Sequence, residues 1–409
     1  MAERVGNFTD KNMKYFYLTV IFLAAFIISC GTIRNLNYSL KTKIESAEIF
    51  PITSPAAGNY PQNLYKFPYK ARTNEYLVYS QTVQWEPGVR KTFDADTVYT
   101  AVVRLDPIDK NFTFKGNELN DIKGLPSEGV ASMKMEADGD SIVIRIVFEK
   151  TAGRKAESKL LFWDDFNGNS LDLSKWDYAP EWDRQGRSSW RDDMVSVNGG
   201  LLHLGFKRDL VLGAAKSKNR TLANSWIRSG AVRTQKKDGY MLFACGFGFY
   251  EARVKLPKIN GIWGGFWLMS PSQWIMTDEG IIGTEIDIVE TFDNPRHVYN
   301  AALNWNGYGR DRKAVHSFES KLPDIDIFDG EFHVFALDWS PSEYVFYVDG
   351  EIFWRVDGGA QFNNSGINQN PNYIKLTVES GEFSGEIPND FTVGEMLVDY
   401  VRVYNQPRY

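Results

Sequence analysis

The chain predicts an all-β protein built as two β-sandwiches in series, and three observations lead there. Short β-branched or aromatic runs recur over residues 76–148 and again from 201 to 404, separated by Pro, Gly and Asp. No long stretch with apolar residues at helical spacing interrupts them, which argues against an α/β barrel. Tyr344-Val-Phe-Tyr-Val-Asp349-Gly350-Glu-Ile-Phe sets an Asp-Gly pair between two alternating runs, the signature of a tight hairpin.

Taken in order, Met13-Lys14 opens a run from Tyr15 to Ile28 that is apolar except for Thr19, and Ser29-Cys30-Gly31 follows. A positive start, a short apolar stretch and small residues at the cut predict a secretory signal over residues 1–30, with Met13 a second candidate start. The stretch is shorter than the ~20 residues needed to span a bilayer. The Cys just after the cut resembles the bacterial lipoprotein signal, which implies lipidation at Cys30 and an exported protein anchored to the cell envelope. Gly-Thr-Ile-Arg-Asn after it carries no acidic cluster, so both faces of the outer membrane stay open.

Residues 31–46 are polar and read as a tether. Residues 47–151 form a small accessory module. Its strand-like runs are Tyr76–Tyr79, Val83–Trp85, Val98–Leu105, Phe112–Phe114 and Ser141–Phe148, which predict an Ig-like β-sandwich acting as a spacer. Thr151 to Ser158 is a short polar linker, and residues 158–409 form the larger module. There the predicted strands are Leu201–Leu204, Tyr250–Leu256, Phe266–Met269, Thr284–Glu290, Tyr299–Leu303, Phe332–Asp338, Tyr344–Val348 and Leu397–Tyr404.

Composition narrows the partners. A length of 409 residues with 43% hydrophobic and 24% charged residues suits two folded domains with ample cores. A net charge of -6 argues against nucleic acid. The two cysteines, Cys30 and Cys245, make no disulfide framework. With four scattered His they suggest no metal site and no cofactor, and a monomer is expected. Of twelve Trp only Trp85 precedes residue 163, so the larger module holds the rings that could stack on sugars or fill a core.

The most informative segment is Gly283-Thr-Glu285-Ile-Asp287-Ile-Val-Glu290. Regular alternation puts Glu285 and Asp287 on one face and Glu290 on the other. A β-bulge at Ile288-Val289 would bring all three acids together. Two such carboxyls, at roughly 5–5.5 Å, can flank a glycosidic bond for a retaining mechanism. The competing reading is an ordinary strand with a wet, acidic face.

Around this segment stand Phe247-Gly-Phe-Tyr-Glu-Ala-Arg-Val-Lys-Leu-Pro257, Gly261-Ile-Trp-Gly-Gly-Phe-Trp-Leu-Met269, Phe332 to Trp339 and Val398 to Tyr404. From about Phe162 to Tyr404 the chain resembles glycoside hydrolase family 16. The resemblance implies a curved jelly-roll sandwich with a sugar-binding cleft on its concave face. It also implies Glu285 as nucleophile, Asp287 as its assistant and Glu290 as general acid/base. Cleft candidates are Trp263, Trp267, Trp274, Asn304, Trp305 and Glu379; for each Trp, core packing is an equal alternative. The family often carries a structural calcium, for which no ligand loop stands out here.

The extra residue in E-x-D-x-x-E separates the chain from the lichenase and xyloglucan branches. Residues Thr277 to Thr284 replace the Trp-Pro-x-Cys-Gly lead-in usual in laminarin-cleaving relatives. The Gly-Thr lead-in and the Asn306-Gly-Tyr-Gly309 turn resemble the branch that cuts β-galactosidic chains, although that branch is expected to carry His where Asn304 stands. An endo-acting enzyme on β-galactan, polylactosamine or mucin-type glycan is the expectation. A β-1,3-glucanase and a non-catalytic glycan-binding lipoprotein are the alternatives.

Overall fold

The computed structural model describes residues 41–67, 78–184, 187–276, 279–292, 298–317, 324–358, 366–381 and 384–409. The signal, Cys30 and most of the tether lie outside them. Among the described residues no helix is long and apolar enough to cross a membrane.

Residues 41–148 carry their own hydrophobic core. A five-stranded antiparallel sheet takes Leu64–Phe67, Tyr79–Glu86, Thr100–Pro107, Ser141–Phe148 and Val130–Asp138 in that spatial order. Alternation decides its buried face: Val83 and Trp85, Ala101, Val103 and Leu105, and Ile142, Ile144 and Ile146 all turn inward. What covers that face is not a second full sheet among the described residues. Irregular segments bearing Ile49, Ile52, Phe93 and Phe114 do so, helped by two-residue parallel pairs.

The larger part is a two-sheet β-sandwich. Among the described residues one sheet has eleven strands and runs from Asp183–Arg184 at one edge to Glu351–Asp357 at the other, with Val393–Tyr404 and Gly248–Lys255 at its centre. The other has seven: β1 Asp177–Tyr178, β2 Ala231–Arg233, β3 Trp263–Met269, β4 Thr284–Phe292, β5 Val298–Trp305, β6 Lys313–His316 and β7 Tyr373–Glu379. Their spatial order is β1-β2-β7-β3-β4-β5-β6. Between the sheets lies a continuous core to which Phe266, Leu268, Ile374, Leu376 and Val378 contribute from the seven-stranded side. Each such buried side chain contributes roughly 1.5–3 kcal/mol. The Asp349-Gly350 turn is present, with φ of 49° and 85°, as a mirror-image hairpin turn requires.

The parts are joined through Tyr60, whose ring enters the sandwich core and whose hydroxyl donates to Asp338 Oδ1 at 2.6 Å. Lys91 Nζ lies 2.9 Å from the other Asp338 oxygen.

Candidate active site

The face of the seven-stranded sheet turned away from the core is set by strand register. Across the sheet, Arg233 of β2 pairs with Lys375, Lys375 with Trp267, Trp267 with Asp287 and Asp287 with Ala302. In the next row Thr377 pairs with Gly265, Gly265 with Glu290 and Glu290 with Asn300. In a third, Glu285 pairs with Asn304; in a fourth, Trp263 with Glu379. Because paired residues share a face, this grid gathers the three acids with Trp263, Trp267, Asn304, Lys375 and Glu379.

The predicted bulge at Ile288-Val289 makes that possible. On β3, Phe266 faces Val289 and Trp267 faces Asp287, so Ile288 has no partner; on β5 the register slips between Asp287 and Glu290. Ile286, Ile288 and Val289 are then all fully buried in the core between the sheets, while the acids project the other way. Gly265, opposite Glu290, lacks the Cβ that would crowd the Trp267 ring at 3.2 Å and the Thr377 hydroxyl at 3.4 Å.

A hydrogen-bond chain fixes the acids. Asn304 Nδ2 donates to Asp287 Oδ2 at 2.8 Å and to Glu285 Oε1 at 3.2 Å. Arg312 Nη2 donates to Asn304 Oδ1 at 2.5 Å, and the Tyr308 hydroxyl donates to Glu285 Oε2. Asn306 and Gly307, with φ of 65° and 66°, make the turn that brings Tyr308 back over β4. Glu379 accepts from Arg184 Nε at 2.7 Å.

Electrostatics divides these carboxyls. Burial raises Glu285 above its ordinary value, opposed by the Tyr308 hydrogen bond and by the positive charges of Lys375, Arg184 and Arg312. Burial, then Glu290 and Glu285, hold Asp287 well above the usual range. Glu290 is pushed up to about 8 by burial first, then by Glu285 and Glu379. Lys375 lies 3.7 Å over the Trp267 ring and 4.6 Å over Trp190, and burial together with Arg184 depresses it well below an ordinary lysine. A carboxyl whose upward shift is opposed by a hydrogen bond and three cations, beside another that holds its proton to about 8, suits acid/base work.

Trp274, 61% exposed, packs edge-on against Tyr308 at 5.4 Å and borders the acids. Trp267 donates through Nε1 to Thr377 and floors the cleft. Trp305 requires a correction: alternation from Asn304 turns it into the inter-sheet core at 1% exposure, out of reach of a sugar. Arg184, Arg312, Lys375 and Trp190 did not emerge from sequence reasoning. Tyr308 did only as part of a turn. Lys375 alternates with Ile374 and Leu376, a period-2 signal that could have placed it on the acids' face. Among the described residues no cluster of His, Cys, Asp and Glu could hold a metal ion.

Residues 161–406 match the family description "Beta-porphyranase A-D, GH16 domain". Among curated relatives, a glucan endo-1,3-beta-glucosidase A1 of Niallia circulans is 25% identical, over 61% of this chain and 38% of its own length. A keratan-sulfate endo-1,4-beta-galactosidase of Sphingobacterium multivorum is 27% identical over 61% of this chain and 56% of its own length. Beta-porphyranase E of Zobellia galactanivorans is 28% identical over 59% and 85% respectively. Among solved structures, the catalytic domain of a laminarinase from Thermotoga petrophila is 22% identical, covering 62% of this chain and 99% of that one, with a TM-score of 0.47. The chain thus spans well under two thirds of two of these relatives, but the family match takes in the whole two-sheet sandwich and the bulged strand with its three acids. The chain belongs to glycoside hydrolase family 16.

Proposed function

We propose that the protein is a retaining, endo-acting glycoside hydrolase that cleaves internal β-galactosidic linkages of a polysaccharide, with porphyran the first substrate to test. The observation that carries the reading is the bulge in β4, which sets Glu285, Asp287 and Glu290 on one face. Glu285, held toward its ionised form by Tyr308, Asn304 and nearby cations, attacks the anomeric carbon. Glu290, still protonated at neutral pH, gives its proton to the leaving oxygen. The bond from Glu285 to the sugar is then hydrolysed by a water that Glu290 deprotonates. Asp287 between them holds or releases the proton that the set shares. Trp274, the exposed ring, stacks on a sugar, while the buried Trp263 and Trp267 line the same face, and Glu379, tied to Arg184, stands beside them.

The galactosidic reading is supported by the porphyranase-type family match and by the galactosidase and porphyranase relatives. A β-1,3-glucan substrate is the second reading, favoured by the glucosidase relative. Incubation with porphyran, agar, keratan sulfate and laminarin, followed by oligosaccharide profiling, separates them. Binding to one glycan without products from any would instead mark a glycan-binding protein. For the roles, Glu285→Ala with azide is expected to yield the inverted glycosyl azide, and Glu290→Ala the retained one. Hydrolysis at the wild-type rate after Glu285→Gln would end the assignment.

Cys30 carries a lipid that holds the enzyme on the cell envelope, residues 47–151 space it from the membrane, and the enzyme works as a monomer. Loss of membrane partitioning in Cys30→Ala tests the anchor.

A further inference from the structure

Asn304 was expected as a substrate contact, yet both ends of its side chain are already engaged. An amide's oxygen and nitrogen are told apart by their partners. Arg312 can only donate, so the atom it meets at 2.5 Å is Oδ1, and Nδ2 is thereby turned toward Asp287 and Glu285. The main chain adds a brace, since Gln273 Nε2 donates to the Asn304 carbonyl at 3.1 Å.

We infer that Arg312 is a positioning residue that acts through Asn304: it locks the amide so that its NH2 group serves both carboxyls of the nucleophile side. The inference rests on the assignment of Glu285 as nucleophile. Without Arg312 the amide is free to turn over and present Oδ1. An acceptor there would favour a protonated Glu285 or Asp287, the form that cannot attack. With the lock in place, Asp287 Oδ2 accepts from Asn304 and the proton of that acid belongs on Oδ1. Arg312 stands on the turn after β5, eight residues beyond Asn304, and its hydrogen bond reaches the acids through Asn304.

Its charge also acts through space, so the test must separate the two routes. On its own strand Glu285 faces Asp287 and Glu290; from β7 Tyr373 and Lys375 face it, and Glu379 faces Glu290. Arg233 of β2, Arg184, Tyr308 and His316 of β6 complete the surround.

The measurement is a carbon-13 NMR titration of side-chain carboxyls on the full chain, with Glu285 assigned from Glu285→Gln. It is run on wild type, Arg312→Met, Asn304→Ala and the double variant, each checked by thermal melting. The Glu285 midpoint is expected to rise in Arg312→Met and in Asn304→Ala, and the Arg312→Met rise is expected to be clearly smaller in the Asn304→Ala background, where only its through-space charge remains. Porphyran hydrolysis should fall about tenfold in each single variant and stay at that level in the double one, the size of one lost charge-assisted hydrogen bond. An equal Arg312→Met shift in the Asn304→Ala background would overturn the inference, because charge alone would then explain it. So would an unmoved midpoint in Arg312→Met. Should Asn304→Ala not fold, Asn304→Ser takes its place in the same cycle. Failure of the underlying assignment looks different: Glu285→Ala would then remain active and form no glycosyl azide.

Discussion

Replacing Glu379 by Gln tests whether the cleft's charges set the proton affinity of Glu290. Glu290 sits near 8 because of burial, then Glu285 and Glu379, against the opposing pull of Arg184 and Arg312. At pH 7 such a group is protonated about ten to one, which is what a general acid needs. Glutamine keeps the shape of Glu379, removes its charge and releases Arg184 from its carboxylate partner. Both changes lower Glu290. The backbones of β7 and β4 are two strand spacings apart, about 10 Å. At that separation and an effective dielectric constant near 20, one unit charge is worth about 1.7 kcal/mol, a ceiling slightly above one pH unit. The assay is kcat/KM against pH at fixed ionic strength, read as reducing ends released from the polysaccharide that the panel identifies. Wild type should lose activity on an alkaline limb centred near 8, and Glu379→Gln should move that limb down by up to about one unit. A limb that stays in place or climbs would refute the reasoning.

Tyr308→Phe removes the hydroxyl donor to Glu285, so the acidic limb of the same profile should move to higher pH, with kcat/KM down about tenfold. Trp274→Ala should weaken binding of long oligosaccharides, read as KM, and leave the melting temperature within a degree or two of wild type, since the ring is 61% exposed. Trp305→Ala should do the reverse, costing ~3–5 kcal/mol in a denaturant titration because it empties a core position. Stability should also fall as pH rises from about 4.3 toward 8. There the unfolded chain gives up the Glu290 proton first while the fold retains it, a slope of at most about 1.4 kcal/mol per pH unit. Urea midpoints across that range check the sign. Tyr60→Phe strips one of two donors from the buried Asp338 carboxylate and should cost ~1–3 kcal/mol by thermal melting.

What the sequence conveyed and what it withheld follow from the period of a strand. In β4 the alternation of acids with Ile and Val is visible as written, and its single break at Ile288-Val289 announces the bulge, so the grouping of the acids was legible. The Asp349-Gly350 hairpin was legible for a similar reason, because only a few residue pairs tolerate two positive φ angles in succession. For Trp305 the sequence leaves cleft and core as equal alternatives, and β5 decides for the core because it continues to that residue while its neighbour Asn304 holds the cleft side. β7 went unseen because Lys375 interrupts its apolar run, and a lysine there is stable only with Trp190 and Trp267 around it. Those rings are far away in sequence. Val130–Asp138 was missed because it is an edge strand, with Lys, Glu and Asp along its length. The accessory sheet's cover was beyond reach for another reason: irregular segments supply it, and they have no period to read.

Arg184 and Arg312 were invisible for the same reason that they matter. Neither belongs to the strand that bears the acids: Arg184 comes from the edge strand of the eleven-stranded sheet and Arg312 from the turn after β5, and only folding sets each against its partner. The bulge brings three carboxyls together at a cost, since like charges in a dry site oppose one another. All three are shifted upward, Asp287 and Glu290 by burial and by their carboxylate neighbours. In Glu285 burial is opposed by three cations and by the donors Tyr308 and Asn304, which favour its ionised form. The strand therefore decides where the acids stand, and residues brought to it from other strands and turns decide which of them is favoured to carry the charge.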